Sequence, residues 1–188
     1  MAPKLSSFIT AVFVLACAPA ALAQGFLPSV WTVPGVTGIV DDEDTAIYVF
    51  NNTGSVSIKR TVASGTLDIR FPVQTLPVNE SPEGACVQMR ARLRDTGAGA
   101  RVLVRFMRLS ISSGSLRSIG EIDTDTVPIL GGNHYSVYQT CLRVPNAFPF
   151  DVGEFAYYVD AQLIKANATA NPGLMAVQIC NTDEACQS

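Results

Sequence analysis

Between residues 87 and 94 the chain alternates at every step. Val87, Met89, Ala91 and Leu93 are apolar, while Gln88, Arg90, Arg92 and Arg94 are polar. A period of two sends successive side chains to opposite faces, so this segment predicts a strand with one dry and one wet face. Residues 55–62 and 66–71 follow the same rule, and residues 46–50, 100–109, 115–122, 135–144, 155–166 and 174–180 are further strand candidates. Turn chemistry punctuates them at Asn51-Asn52-Thr53-Gly54, Asp95-Thr96-Gly97-Ala98-Gly99 and Asn171-Pro172-Gly173. No helical stripe of ~10 residues follows the first 23 residues. Eight or nine short strands with this punctuation predict an all-β fold, an antiparallel, jelly-roll-like β-sandwich.

The turn at residues 95–99 suggests a hairpin between residues 87–93 and 102–106. Placing Leu93 opposite Val102 brings Ala91 opposite Val104 and Met89 opposite Phe106. The same register sets Arg94 opposite Arg101 and Arg90 opposite Arg105, so Arg90, Arg92, Arg94, Arg101 and Arg105 would share one sheet face. Like charges directly opposite each other destabilise a sheet, so something must offset them. Asp68 on a neighbouring strand is the nearest internal candidate. An anionic partner, such as an acidic polysaccharide, lipid headgroups or a protein, is the external one. These five arginines are the candidate anion-binding residues.

Residues 1–23 read as a secretory signal peptide. Lys4 supplies positive charge, residues 8–16 form an apolar run, and Ala21-Leu22-Ala23 is a small-x-small cleavage site before Gln24. Val14-Leu15-Ala16-Cys17 is a poor lipidation signal beside that site. No other segment approaches the ~20 apolar residues of a membrane span. Residues 24–45 then form an extended arm rich in Pro and Gly, with Trp31 as its anchor, and residues 46–188 a single β-sandwich domain. Export sets the redox context of Cys86, Cys141, Cys180 and Cys186, an even number that predicts two disulfides stapling the domain. The short spacing from Cys180 to Cys186 favours a terminal ring, which leaves Cys86 to pair with Cys141.

Composition narrows the function. Removing residues 1–23 leaves 165 residues with 12 basic and 16 acidic side chains, a balance that argues against nonspecific nucleic-acid binding. His134 is the single histidine, so a Ser-His-Asp triad or Cys-His pair would have to use it. One histidine and no free thiols leave no zinc site, and no cofactor motif is present. The acidic runs Asp41-Asp42-Glu43-Asp44 and Asp123-Thr124-Asp125 lack the calcium-loop pattern. Asp151, Glu154 and Asp160 are the carboxylates a glycan hydrolase would draw on, since two suffice when they face each other in a cleft. Among the aromatics, Trp31, Tyr157 and Tyr158 are candidates for stacking on sugar rings, with Tyr48, Tyr135 and Tyr138 beside them; core packing is the competing role.

The segments Phe155-Ala156-Tyr157-Tyr158-Val159-Asp160-Ala161-Gln162-Leu163, Asn171-Pro172-Gly173-Leu174 and Val177-Gln178-Ile179 resemble the C-terminal half of a broad set of bacterial exported β-sandwich proteins of unassigned function. The strand end Arg90-Ala91-Arg92-Leu93-Arg94-Asp95 and the stretch Arg105-Phe106-Met107-Arg108 are similar to strands of the same set. The resemblance spans about residues 66–180. It implies a compact jelly-roll-like sandwich and no activity. Residue chemistry and resemblance together lead to one expectation. This is a secreted, non-catalytic sandwich with a binding or structural role at or outside the cell envelope, its partner an extracellular glycan or protein. A carboxylate-dependent glycan hydrolase is the alternative.

Overall fold

The computed structural model describes residues 30–74, 87–127, 133–142 and 150–180. The expected signal peptide and its cleavage site, Cys86 and Cys186 lie outside them. Eleven strands run through the described residues: β1 Val30–Pro34, β2 Ile39–Val40, β3 Tyr48–Phe50, β4 Val56–Ile58, β5 Gly65–Pro72, β6 Gln88–Arg94, β7 Ala100–Ser110, β8 Leu116–Asp123, β9 Ser136–Cys141, β10 Phe155–Lys165 and β11 Gly173–Cys180. Two one-turn 3-10 helices, Gly35–Thr37 and Asp42–Asp44, join the first three. All pairings are antiparallel.

The strands form two sheets. Sheet A has the order β3-β4-β11-β6-β9, with β1 also paired to β11, and sheet B has the order β2-β5-β10-β7-β8. Only the β3–β4 and β7–β8 connections are hairpins; at every other step the chain passes from one sheet to the other. That is the all-β, jelly-roll-like sandwich the alternation predicted. Within the stretch read as an N-terminal arm, the described residues 30–45 contribute a strand to each sheet: β1 lies along β11, and β2 along β5.

The inner faces make one core. Met89, Ala91 and Leu93 from β6 face Val102, Val104 and Phe106 from β7, with Leu67, Ile69 and Phe71 from β5, Val159, Ala161 and Leu163 from β10, and Leu174, Val177 and Ile179 from β11. Phe106 is 0% exposed; its ring stacks on Tyr157 at 5.8 Å and meets Phe150 edge-on at 5.9 Å. Burial of a large apolar side chain contributes roughly 1.5–3 kcal/mol, so a core of this breadth dominates stability.

The expected hairpin does not form. β6 pairs with β11 and β9, while β7 pairs with β10 and β8, so residues 95–99 make an arch from one sheet to the other. Arch and hairpin bury the same alternating residues, which is why sequence periodicity does not separate them. The arch has its own fastenings. Asp95 is buried and accepts the Gly97 N–H through Oδ1 at 2.8 Å. Gly97 and Gly99 sit at φ 92° and 96°, conformations that favour glycine. Ala166 N–H donates to the Gly99 carbonyl at 2.7 Å, and Asn171 N–H to Thr96 Oγ1 at 2.9 Å, tying the arch to the β10–β11 connection.

Phe106→Ala should lower the unfolding free energy by about 3–5 kcal/mol, because it removes a ring from the centre of the core. The shift in urea midpoint measures this. A change below about 1 kcal/mol would mean that the two sheets do not close on Phe106.

Candidate functional site

The arch divides the five candidate arginines between two surfaces. Arg90, Arg92 and Arg94 project from the outer face of sheet A, and Arg101 and Arg105 from the outer face of sheet B. They do not share a face. The two groups also differ in their neighbours.

On sheet B every candidate arginine has carboxylates. Arg105 stands opposite Asp160 on one side and Glu121 on the other, with ion pairs at 3.9 and 3.1 Å. Arg70 reaches Asp160 from the far strand at 3.7 Å. Arg101 forks onto Asp123, Nε to Oδ1 at 2.9 Å and Nη2 to Oδ2 at 2.7 Å, and its Nε lies 3.5 Å from Asp125. The Arg101 hydrogen bond holds the Asp123 carboxyl below its ordinary range against a burial effect of opposite sign, and Asp123 raises the guanidinium in turn. Burial pushes Asp160 up, with Arg70 opposing and Asp68 adding to the rise. The internal offset expected from Asp68 comes from these other carboxylates instead. Asp68 accepts the Gln162 amide at 2.9 Å and ion-pairs with no arginine among the described residues.

Sheet A offers no such offset. The residues opposite Arg90 are Gln178 and Gln139, those opposite Arg92 are Ala176 and Val137, and Arg94 faces Gly173. Among the described residues no carboxylate ion-pairs with Arg90, Arg92 or Arg94. Alternate residues of a strand lie ~6.7 Å apart, so each neighbouring pair repels by roughly 0.6 kcal/mol even in bulk water. Arg92 is exposed, and the Nε of Arg90 is buried without an acceptor among the described residues.

Arg94 is held in place. Its Nε and Nη2 donate to the Asn171 carbonyl and Oδ1 at 3.1 and 2.8 Å, and its guanidinium lies 4.9 Å from the centre of the Tyr135 ring. Gly173 makes the arrangement fit, since a Cβ there would stand 2.6 Å from the Tyr135 hydroxyl. Around this group is an open groove of about 550 Å³, lined also by Asn51, Ser57, Arg60 and Met175. A second groove of about 230 Å³ continues along β6, between Arg90, Arg92, Thr32, Val137 and Gln178. Met175 lines the first groove and Ala176 the second, at the β-bulge that interrupts β11, the point at which β11 changes its outer partner from β4 to β1.

The aromatic candidates do not assemble into a platform. Tyr157 is in the core against Phe106, and burial pushes its phenol up. Trp31 packs inward from β1, and Tyr158 points out from sheet B. Tyr135, beside Arg94, is the aromatic ring at the arginine face. Asn171, Asn51 and Ser57 had no functional signal in the sequence, because each reads as ordinary turn or strand chemistry.

Of the catalytic candidates, Asp151 and Glu154 share one turn and Asp160 lies apart from them. Asp151 Oδ1 accepts the N–H groups of Gly153 and Glu154, forming the turn before β10. Asp160 lies five residues into β10, roughly 17 Å further along at strand rise, beyond the ~5–10 Å separation of a glycosidase pair. His134 is exposed, and no cluster of three metal-ligating side chains occurs among the described residues. A smaller groove of about 220 Å³ beside β2 is lined by Asp41, Asp42, Asp68 and Arg70. Among the described residues no helix is long and apolar enough to cross a membrane.

No protein-family model and no curated protein matches this sequence. Solved structures align with its fold. A xylan-binding module, CBM15, aligns at 8% identity and TM-score 0.46, over 82% of this chain and 97% of its own. A family 30 carbohydrate-binding module aligns at 15% identity and TM-score 0.42, over 81% and 82%. A family two carbohydrate esterase from Cellvibrio japonicus aligns at 8% identity and TM-score 0.41; this chain covers 35% of it. The chain spans about half of another matched structure, from work on carbohydrate-binding modules of the β-sandwich superfamily, covering 54% of it at 12% identity and TM-score 0.40.

Asp123→Asn should cost about 1–2 kcal/mol at pH 7, the range for hydrogen bonds to a charged group at a partly exposed site. A carboxyl held below its unfolded value stabilises the fold above ~pH 4, and that contribution is lost as pH falls through the folded value. The penalty should therefore shrink below pH 4 in urea melts. A penalty that stays constant down to pH 2 would assign Asp123 a packing role.

Proposed function

We propose that this protein is a secreted, non-catalytic β-sandwich that binds a glycan on the outer face of sheet A, at or outside the cell envelope. One observation carries the reading. Arg90, Arg92 and Arg94 stand in a row with no carboxylate paired to them among the described residues, over grooves edged by amides, hydroxyls and one tyrosine. A surface rich in unmatched donors suits an acceptor-rich ligand, and hydroxyls and ring oxygens make sugars such a ligand. An open trough along a strand suits an extended chain better than a compact molecule. For the rival, a carboxylate-dependent glycan hydrolase, the groove of Asp41, Asp42 and Asp68 is one among the described residues that several carboxylates line. There the amide of Gln162 already occupies one oxygen of Asp68.

A glycan array probed with the purified protein tests the reading. Arg92→Ser should leave the melting temperature within about 2 °C, because an exposed charge contributes little to stability, while weakening retained glycans by about tenfold. Collapse of the fold in Arg92→Ser, or hydrolysis of a retained glycan that Asp68→Asn abolishes, would overturn it.

Export and the disulfides belong to the same proposal: cleavage before Gln24, with Cys86 bridged to Cys141 and Cys180 to Cys186. What supports the pairing is the register, in which Cys141 and Cys180 flank Gln88 from opposite sides. Two strand spacings, ~9.6 Å, exceed the ~7 Å reach of a disulfide, so these two do not bridge each other. Peptide mapping of unreduced protein should recover the two proposed links. A Cys86–Cys180 peptide would replace them with the remaining connectivity.

A further inference from the structure

We propose that the ligand of the sheet A face is a polyanionic glycan, a polymer bearing oxyanions at regular intervals, laid along β6; this inference rests on the glycan reading and names its chemical class. The first argument is contrast within one molecule. β6 carries outward arginines at three alternate positions, and β7 carries Arg101 and Arg105 four residues apart. On β7, Arg101 and Arg105 are answered by Asp160, Glu121, Asp123 and Asp125 from neighbouring elements, while Arg108, opposite Arg117, lies over the Phe155 ring at 4.3 Å. Those on β6 face Gln178, Gln139, Ala176, Val137 and Gly173, all neutral. A neutral sugar would satisfy the amides and leave three like charges uncompensated.

Geometry supplies the second argument. The arginine positions repeat at ~6.7 Å along the backbone of a strand in the interior of sheet A, flanked by β11 and β9. Both grooves open onto this row, one at Arg90 and Arg92 and the other at Arg94. A ligand with one charge would meet one arginine, whereas a repeating ligand meets all three, and linked contacts multiply affinity through effective concentration. The third argument is preorganisation. Asn171 and Tyr135 fix the Arg94 side chain, and the two bonds to Asn171 engage Nε and Nη2 while Nη1 has none among the described residues. A guanidinium fixed in this way gives up less rotamer freedom when it receives a carboxylate or sulfate.

Calorimetry on the full chain decides the matter, with polygalacturonate and dextran sulfate as charged probes and methyl-esterified pectin and dextran as neutral ones. At least one charged polymer should bind ten times or more tightly than its neutral counterpart. The preferred polymer distinguishes a carboxylate from a sulfate source. Raising NaCl from 50 to 500 mM should weaken that binding at least tenfold, since exposed charge contacts are screened. Galacturonate or glucose sulfate monomers should bind at least a hundredfold more weakly than the corresponding polymer. Arg92→Ser should lose about tenfold and Arg92→Lys an intermediate amount, while Arg105→Ser, on the other sheet, stays within twofold of the parent protein. Neutral polymers bound as tightly as charged ones, or equal losses in Arg105→Ser and Arg92→Ser, would overturn this inference and leave the glycan reading standing. Retention by phosphatidylglycerol vesicles with no polymer bound would overturn both.

Discussion

The inner faces of β6 and β7 meet across the core, and this contact assigns every other side chain its place. Once Met89, Ala91 and Leu93 face Val102, Val104 and Phe106 through the sandwich, period-two geometry leaves Arg90, Arg92 and Arg94 on one outside and Arg101 and Arg105 on the other. The arch between the strands is what makes the contact pass through the core rather than along one sheet. Buried Asp95, the two left-handed glycines and the bonds to Ala166 and Asn171 hold that arch. Asn171 in turn anchors Arg94, so a fastening of the fold is also part of the candidate site.

Much of this was legible in the residues. Alternation located β5, β6, β10 and β11 to within a residue or two, because a strand with one wet face writes its period directly into the sequence. The sandwich class followed from the number and spacing of the strands. What alternation leaves open is the partner of each strand. Val102 lies behind the same turn signal whether the chain folds back beside β6 or crosses to the opposite sheet, and both solutions bury it. The buried apolar set is the same, so hydrophobic energy gives the reader of a sequence no preference. Only the long-range pairing of β6 with β11, some eighty residues on, settles it.

The site was legible to the same limited degree. The arginines stood out in the sequence, but their division between two faces depends on that pairing, and so does the supply of carboxylates. Asp160 comes from β10, whose adjacency to β7 no local pattern encodes, while Glu121 and Asp123 lie on β8, the hairpin partner of β7. Tyr157 and Tyr158 are chain neighbours, and a strand sends them to opposite faces; one fills the core and the other meets solvent. Tyr135 gains its importance from Gly173 beneath it, a residue whose turn motif explains its presence without mention of a tyrosine.

The two outer faces also give the molecule an electrical direction. On sheet B, Arg70, Arg101 and Arg105 each lie beside carboxylates, and the acidic turn at Asp42–Asp44 lies against β5 on that side. Sheet A carries a bare positive row on a chain whose formal net charge is −3. Such a separation is a dipole, with its positive end pointing out of sheet A. In the field of a negatively charged surface, the molecule would feel a torque before any contact forms and would turn its β6 face forward. Orientation would then precede recognition, and its reach would extend about one Debye length, ~8 Å in physiological salt and ~30 Å in dilute buffer.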